Sequence, residues 1–293
     1  MKKTLAALLS LCMTLSLAAC GSSASTGSAS SSGAASASAA SSAGEAPVEV
    51  IVFAAASMTE TLNTIIDQYK DVAPNVTITA TYDSSGKLKT QMEEGAPCDL
   101  FISAAQTQMN ALDGSLKDDP EKNPDGLDLV LQGSRVNLLE NKVTLVVPEG
   151  NPAGIESFSD LASNKLHLMA LGNSDVPVGS YSLDILSYLG LNVSDLEAAG
   201  KITYCSNVKE VTTQVTEGSV DCGIIYATDA YSAGLTVVDT ATSDMCKQVI
   251  YPAAVMNTTT DEAKLAAAQD FLDYLQTDAC APVFESVGFS VIQ

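Results

Sequence analysis

The chain has 293 residues, 46% of them hydrophobic but only 5% aromatic, with no Trp, one His and a formal net charge of −21. So acidic a chain is a poor partner for nucleic acid or for anionic lipid, and its few aromatics serve sugar or base stacking badly. A single histidine and no Cys-x-x-Cys spacing leave a protein-bound transition metal or zinc with little support.

The N-terminus reads as a targeting signal. Lys2 and Lys3 form a basic start, Leu5 to Leu17 is an apolar run too short for a membrane span, and Leu17-Ala18-Ala19-Cys20 is a small-residue cleavage site ending in cysteine. This resembles the lipobox of bacterial lipoproteins, which implies that residues 1–20 are a signal peptide and that Cys20 becomes the lipid-carrying first mature residue. An ordinary secretory signal with an incidental cysteine is the alternative. Residues 21–47 are nearly all Ser, Ala and Gly, too poor in large apolar side chains to offset the entropy of ordering. They are expected to be a disordered tether, reaching roughly 25–30 Å as a flexible coil.

The body begins near Val48. Lys2 and Lys3 aside, 12 basic residues face 35 acidic ones, a formal −23. No internal repeat is evident. Val48 to Ala54 is a β-branched run and is expected to be a buried strand; Leu62, Ile65, Ile66 and Tyr69 then recur at helical spacing. Val76 to Tyr82 reads as a second strand, Lys87 to Glu94 as a short helix, and Leu100 to Ser103 as a third strand. Asp113 to Asp128, rich in Pro, Gly and Asp, reads as a surface loop. Lys142 to Val147 reads as a strand, Ser157 to Asp160 as a short helix start, Leu166 to Ala170 as a strand and Ser180 to Leu189 as a helix. Ile202 to Tyr204, Val208 to Glu217 and Gly223 to Tyr226 read as strand, helix and strand. Strand fragments at Val237 to Val238 and Val255, a helix over Lys264 to Leu275 and a last short helix near Pro282 to Ser286 complete the pattern. Alternating strands and helices predict an α/β fold with parallel sheets, in two successive lobes with a ligand cleft between them. Residues 48–138 and 251–293 are assigned to lobe 1 and residues 139–250 to lobe 2.

Five cysteines lie in the body: Cys98, Cys205, Cys222, Cys246 and Cys280. Most read as small buried apolar residues, and a Cys205–Cys246 or Cys222–Cys246 disulfide stays open. The lone His167 reads as structural; with no Gly-x-Ser-x-Gly elbow and no Gly-Lys-Ser/Thr phosphate loop, the chain is expected not to be an enzyme.

Four candidate helix starts each follow a strand: Ser57, Ser84-Ser85-Gly86, Pro177-Val178-Gly179 and Asn207-Val208. Helix starts present N–H groups without intrahelical acceptors and bind anions without any positive side chain. Each has a plainer reading: Ser57 through Glu60 matches a capping box, Ser84-Ser85-Gly86 a turn, Asn207 an ordinary cap, and Tyr226 a half-buried core tyrosine. Lys87, Lys89 and Lys209 are the cations nearest these segments and the rival holders of an anion.

Taken together, the motifs are similar to those of the molybdate-binding proteins of ABC importers. Val50-Ile51-Val52-Phe53-Ala54-Ala55-Ala56-Ser57-Met58-Thr59 resembles their first strand and anion loop. Gly95-Ala96-Pro97-Cys98-Asp99-Leu100-Phe101-Ile102-Ser103-Ala104 resembles the next signature. Val176-Pro177-Val178-Gly179, Asn207-Val208-Lys209, Gly223-Ile224-Ile225-Tyr226-Ala227-Thr228-Asp229-Ala230 and Tyr251-Pro252-Ala253-Ala254-Val255 follow in the same order, and Gly288-Phe289 fits the end. Two departures stand out: Val178 replaces the usual alanine, and Ala104-Ala105-Gln106 lacks a common aspartate. The resemblance implies a two-lobed fold of the type II periplasmic-binding kind and a ligand set of Ser57, Ser85, Val178, Val208 and Tyr226. It implies molybdate or tungstate as ligand, no cofactor, no direct protein–metal bond, and a monomer that serves ABC permease subunits from outside the cytoplasm, held to the cell membrane through Cys20. The alternatives are the same scaffold selective for tungstate, sulfate or another oxyanion and, more remotely, a surface lipoprotein enzyme or an adhesin.

Overall fold

The computed structural model describes residues 46–292; the expected signal peptide, Cys20 and nearly all of the expected tether lie outside the described residues. The body is built from two sheets. β1 (Val48–Ala55) leads through a single 3-10 turn into α1 (Thr59–Val72), followed by β2 (Val76–Asp83), α2 (Ser85–Glu93), β3 (Leu100–Ile102), α3 (Gln106–Asn110) and β4 (Val136–Asn141). The chain then enters the second sheet with β5 (Val143–Val147), β6 (Met169–Gly172), α4 (Pro177–Tyr188), α5 (Val193–Ala198) and β7 (Ile202–Cys205). α6 (Val208–Thr216), β8 (Cys222–Tyr226), α7 (Ala227–Ala233) and β9 (Thr236–Thr240) finish that sheet. The chain returns to the first with β10 (Val249–Val255), α8 (Glu262–Leu275), α9 (Ala281–Glu285) and β11 (Ser290–Val291).

The strand orders are β11-β4-β10-β3-β1-β2 and β7-β6-β8-β5-β9. β1 runs parallel to β2 and β3, and β6 parallel to β7 and β8. The expectation of wholly parallel sheets is corrected: β10 and β4 are antiparallel to each other, as are β10 and β3, β5 and β8, and β5 and β9. The reason is topological. Parallel neighbours need a crossover, usually a helix, to bring the chain back. β4, β5, β9 and β10 instead carry the chain between sheets, through the single residue Lys142 and across residues 241–248, with no helix to reverse it.

The first sheet is covered on both faces. Along β1, Val52 and Ala54 join the core shared with α1 and α8, whereas Phe53 joins a second cluster with Leu88, Met92, Phe101 and Met109. Leu100 and Ile102 of β3 likewise oppose Phe101. Such alternation is the two-residue period of a strand buried on both sides.

Asp99, the acid in the Pro97-Cys98-Asp99 segment, proves to be a sheet anchor. Its Oδ2 accepts the N–H of Ile51 at 2.8 Å, its own N–H donates to Ile51 O at 2.8 Å, and its carbonyl accepts the N–H of Met256 at 2.9 Å. It ties β1, β3 and the end of β10 together while buried. Asp99→Ala therefore strands one N–H in the sheet. It is expected to cost about 1.5–3 kcal/mol, the usual worth of a hydrogen bond to a charged group. Urea unfolding checks this, with a lower midpoint at unchanged slope; an unaltered midpoint rules the anchor out.

Candidate functional site

The strands β1, β2, β3, β6, β7 and β8 end on one cavity. It is small, with a cavity volume of about 10 Å³, and is lined by Ala55, Ala56 and Ser57, by Asp83, Ser84 and Ser85, and by Ala104, Val176, Pro177, Val208 and Tyr226. Carboxyl ends of parallel strands are where α/β folds present ligands, because the following helices begin there. Ser57, Ser85, Val208 and Tyr226 thus share one wall-to-wall space. Val178 is the second residue of α4, fully buried, one step behind Pro177 at the wall. The helix starts in the two sheets also touch directly: the N–H of Gly86 donates to Asp175 O at 2.9 Å. A Cβ on Gly86 would stand 2.3 Å from that oxygen, so only glycine allows the approach.

The hydroxyls at the wall differ in how they are held. Ser84 Oγ caps α2 by accepting the N–H of Lys87 at 3.3 Å. Ser85 Oγ accepts the N–H of Ala104 at 3.0 Å, which occupies a lone pair and leaves its proton for the cavity. The capping box expected at Ser57 does not form: no side chain caps that helix start, and Ser57 Oγ pairs with Tyr251 Oη at 2.8 Å. Tyr226 Oη is buried with no partner. Burial pushes the Tyr226 phenol well above its usual value, so it keeps its proton as a donor. At Val208, Asn207 caps α6 by accepting the N–H of Glu210 at 3.0 Å, and the N–H of Val208 has no acceptor inside the helix.

Apart from Asp83, charged side chains surround this wall without lining it. Asp83, the one carboxylate on it, accepts the N–H of Ser84 at 2.8 Å and Nδ2 of Asn207 at 3.4 Å, with Lys87 Nζ at 3.6 Å. Lys89 pairs with Glu93. Lys209 Nζ lies 2.8 Å from both carboxylate oxygens of Glu60 and 3.1 Å from Asp229 Oδ1, the latter as an ion pair lying off the line of a hydrogen bond. A much larger hollow lies on the first sheet's flank beside Arg135, whose guanidinium donates to Asp113, Gln106 and Asn110.

The sequence signature of one family, described as bacterial extracellular solute-binding protein, matches residues 50–290. The chain belongs to this family. Among its relatives is a Bacillus subtilis protein named as an ABC transporter substrate-binding lipoprotein, YvgL, 34% identical over 250 residues that cover 84% of this chain and 88% of that one. The molybdate-binding protein ModA of Haemophilus influenzae is 31% identical over 252 residues, covering 84% and 91%. The solved periplasmic molybdate-binding protein of Azotobacter vinelandii shares the fold, with a TM-score of 0.68 at 20% identity over 83% of this chain and all of that one.

Other residues of this solute-binding protein weighed in the sequence stand apart from the cavity. His167 precedes β6 rather than lying within it, is largely exposed, and donates its backbone N–H to Asp221 at 2.6 Å. Neither proposed disulfide exists: all five body cysteines are free thiols. Burial pushes Cys98 and Cys222 up to about 12, which keeps them protonated and inert. Among the described residues no helix is long and apolar enough to cross a membrane.

Asp229, in α7 shortly after Tyr226, is a buried acid paired with Lys209. Burial raises its carboxyl to about 6; the Lys209 ammonium opposes the rise and Glu60 adds to it. Lys209 moves the same way: burial works against its charge, but Asp229 and Glu60 together outweigh that and raise it. One ammonium shared by two carboxylates explains both directions. A folded-state value above the ordinary 3.8 means the native protein holds this proton more tightly than the unfolded chain. Its contribution is complete below about pH 4 and is lost as pH rises through about 6. The melting temperature of the wild type relative to Asp229→Asn is therefore expected to rise as pH is lowered from about 7.5 to about 5. A flat or opposite trend in thermal melts would show that Asp229 titrates as an ordinary carboxyl.

Proposed function

We propose that this solute-binding protein captures molybdate, and tungstate as a close analogue, and delivers it to the membrane subunits of an ABC importer. The observation that carries the reading is a donor-rich wall whose one carboxylate, Asp83, is already engaged by the Ser84 N–H, Asn207 and Lys87. Ser57, Ser85 and Tyr226 offer hydroxyl protons, the first turns of α4 and α6 offer N–H groups, and no lysine or arginine faces the space. Val178 enters the proposed ligand set through its backbone N–H alone. A site of this kind favours an oxyanion that carries no proton. Hydrogen phosphate would place its own O–H among donors, at a cost of about 1–3 kcal/mol for the unmet bond. Sulfate is also proton-free, so only its smaller size sets it apart from molybdate. The relatives named for molybdate and for lipoprotein attachment support the reading, as does the Leu17-Ala18-Ala19-Cys20 segment for a lipid anchor at Cys20 outside the cytoplasm. The named relatives are binding proteins, and we read this chain too as a carrier without catalytic activity.

Thermal shift tests the ligand. Molybdate and tungstate are expected to raise the melting temperature strongly, sulfate weakly and phosphate not at all; a ligand at 100 times its Kd adds about 2.7 kcal/mol. A large shift with phosphate and none with molybdate overturns the reading. Calorimetry tests the donors: Ser85→Ala and Tyr226→Phe are each expected to weaken molybdate binding by about 1.5–3 kcal/mol while the fold persists. Wild-type affinity in both variants would place the anion elsewhere.

A further inference from the structure

The proposed ligand set ends at the groups that touch the cavity, yet Ser57 differs from Ser85 in how its proton is directed. Ser85 receives a backbone N–H. Ser57 meets another hydroxyl, and two hydroxyls alone leave the direction of donation open. The residues behind Tyr251 remove that freedom. Asn141 Oδ1 accepts the N–H of Lys142 at 2.8 Å, which fixes the amide so that Nδ2 faces the other way. Nδ2 then donates to Thr228 Oγ1 at 2.9 Å and to Tyr251 Oη at 3.2 Å. Tyr251, having accepted, has one proton to give, and Ser57 Oγ at 2.8 Å is the partner in line for it.

We propose that Asn141 and Tyr251 are positioning residues for anion capture, forming a directed hydrogen-bond relay that turns the Ser57 proton into the cavity. The inference rests on the proposed oxyanion function and adds two residues to its machinery. All three side chains are buried, so no water competes for the bonds. Burial, first of all, keeps the Tyr251 phenol well above its usual value, so it stays a donor. The ring of Tyr251 is wedged between Tyr226 and Phe289, with centroids 5.8 and 5.2 Å away, so Tyr251→Phe keeps the packing and removes only the relay.

A double-mutant cycle on molybdate affinity, read by calorimetry, tests the relay. Ser57→Ala and Tyr251→Phe are each expected to weaken binding about ten-fold, and the double variant to be within about two-fold of Ser57→Ala, because Tyr251 acts only through that hydroxyl. Asn141→Ala, crossed with Ser57→Ala, is expected to show the same dependence and decides the matter should Tyr251→Phe fold poorly. Melts without anion check the fold of each variant. Wild-type affinity in Tyr251→Phe, or a loss that multiplies with that of Ser57→Ala, overturns the relay and leaves the functional reading standing. A wild type that binds no oxyanion overturns the functional reading, and the relay with it.

Discussion

The first-turn N–H groups of a helix have no acceptor within the helix, and in this protein several helices begin where a strand has just delivered the chain to the same cavity. That leftover donor capacity is the constraint on which the rest depends. It cannot be hidden in an apolar core without penalty, so it must meet water, a side chain or a ligand. Ser84 and Asn207 satisfy the deeper N–H groups of α2 and α6. The foremost ones stay available at the wall. The packing around α4 serves the same end: a Cβ on Gly179 would lie 2.4 Å from Gly172 O, so the absence of a side chain lets the helix start press against the end of β6.

The strands and helices that build this wall were legible because each carries its own local signal. β1 is a run of β-branched residues, and α1, α6 and α8 each place buried residues on one face at helical spacing. Among the elements absent from the sequence reading, α5 does carry a cap, Asn192 accepting the N–H of Ser194, but is only six residues long, whereas others lack such signals. α7 begins at Ala227 directly after Tyr226, and α3 at Gln106 after Ala105, neither with a capping side chain. β4 and β11 owe their pairing to distant partners, Val249 to Ala253 and Leu139 to Glu140, which no local window contains. At the site, the helix starts could be read from Ser, Pro and Asn at strand ends. The capping box at Ser57 was misleading for a physical reason: the chain takes a 3-10 turn there, and Glu60 is drawn to Lys209, 149 residues away. Such pairings arise only from the fold.

Charge raises a separate question, since the proposed function has a chain at −21 hold a dianion. The three lysines closest to the helix starts are all matched to carboxylates, Lys87 to Asp83, Lys89 to Glu93 and Lys209 to Glu60 and Asp229. Local neutrality is thus nearly complete before any ligand enters. The remaining acidic surface acts through water and salt, where fields fade over about 8–10 Å near physiological ionic strength. Short-range dipoles at the wall face no such screening. The unfavourable global field is therefore weak at the cavity, and the favourable local one is strong there.

The joint between the two sheets carries these arguments to one place. Lys142 alone separates β4 from β5, and the residue before it, Asn141, donates to Thr228 in the second sheet's helix and to Tyr251 in the first sheet's β10. The Glu60–Lys209 pair and the Gly86–Asp175 bond cross between the sheets on either side of the cavity. A rotation about the joint that separates the sheets must break these crossing contacts and part Ser57 and Ser85 from Val208 and Tyr226. No single lobe holds the full donor set. On the proposed function, an anion bound by the full set would bridge the two halves and so couple capture to closure.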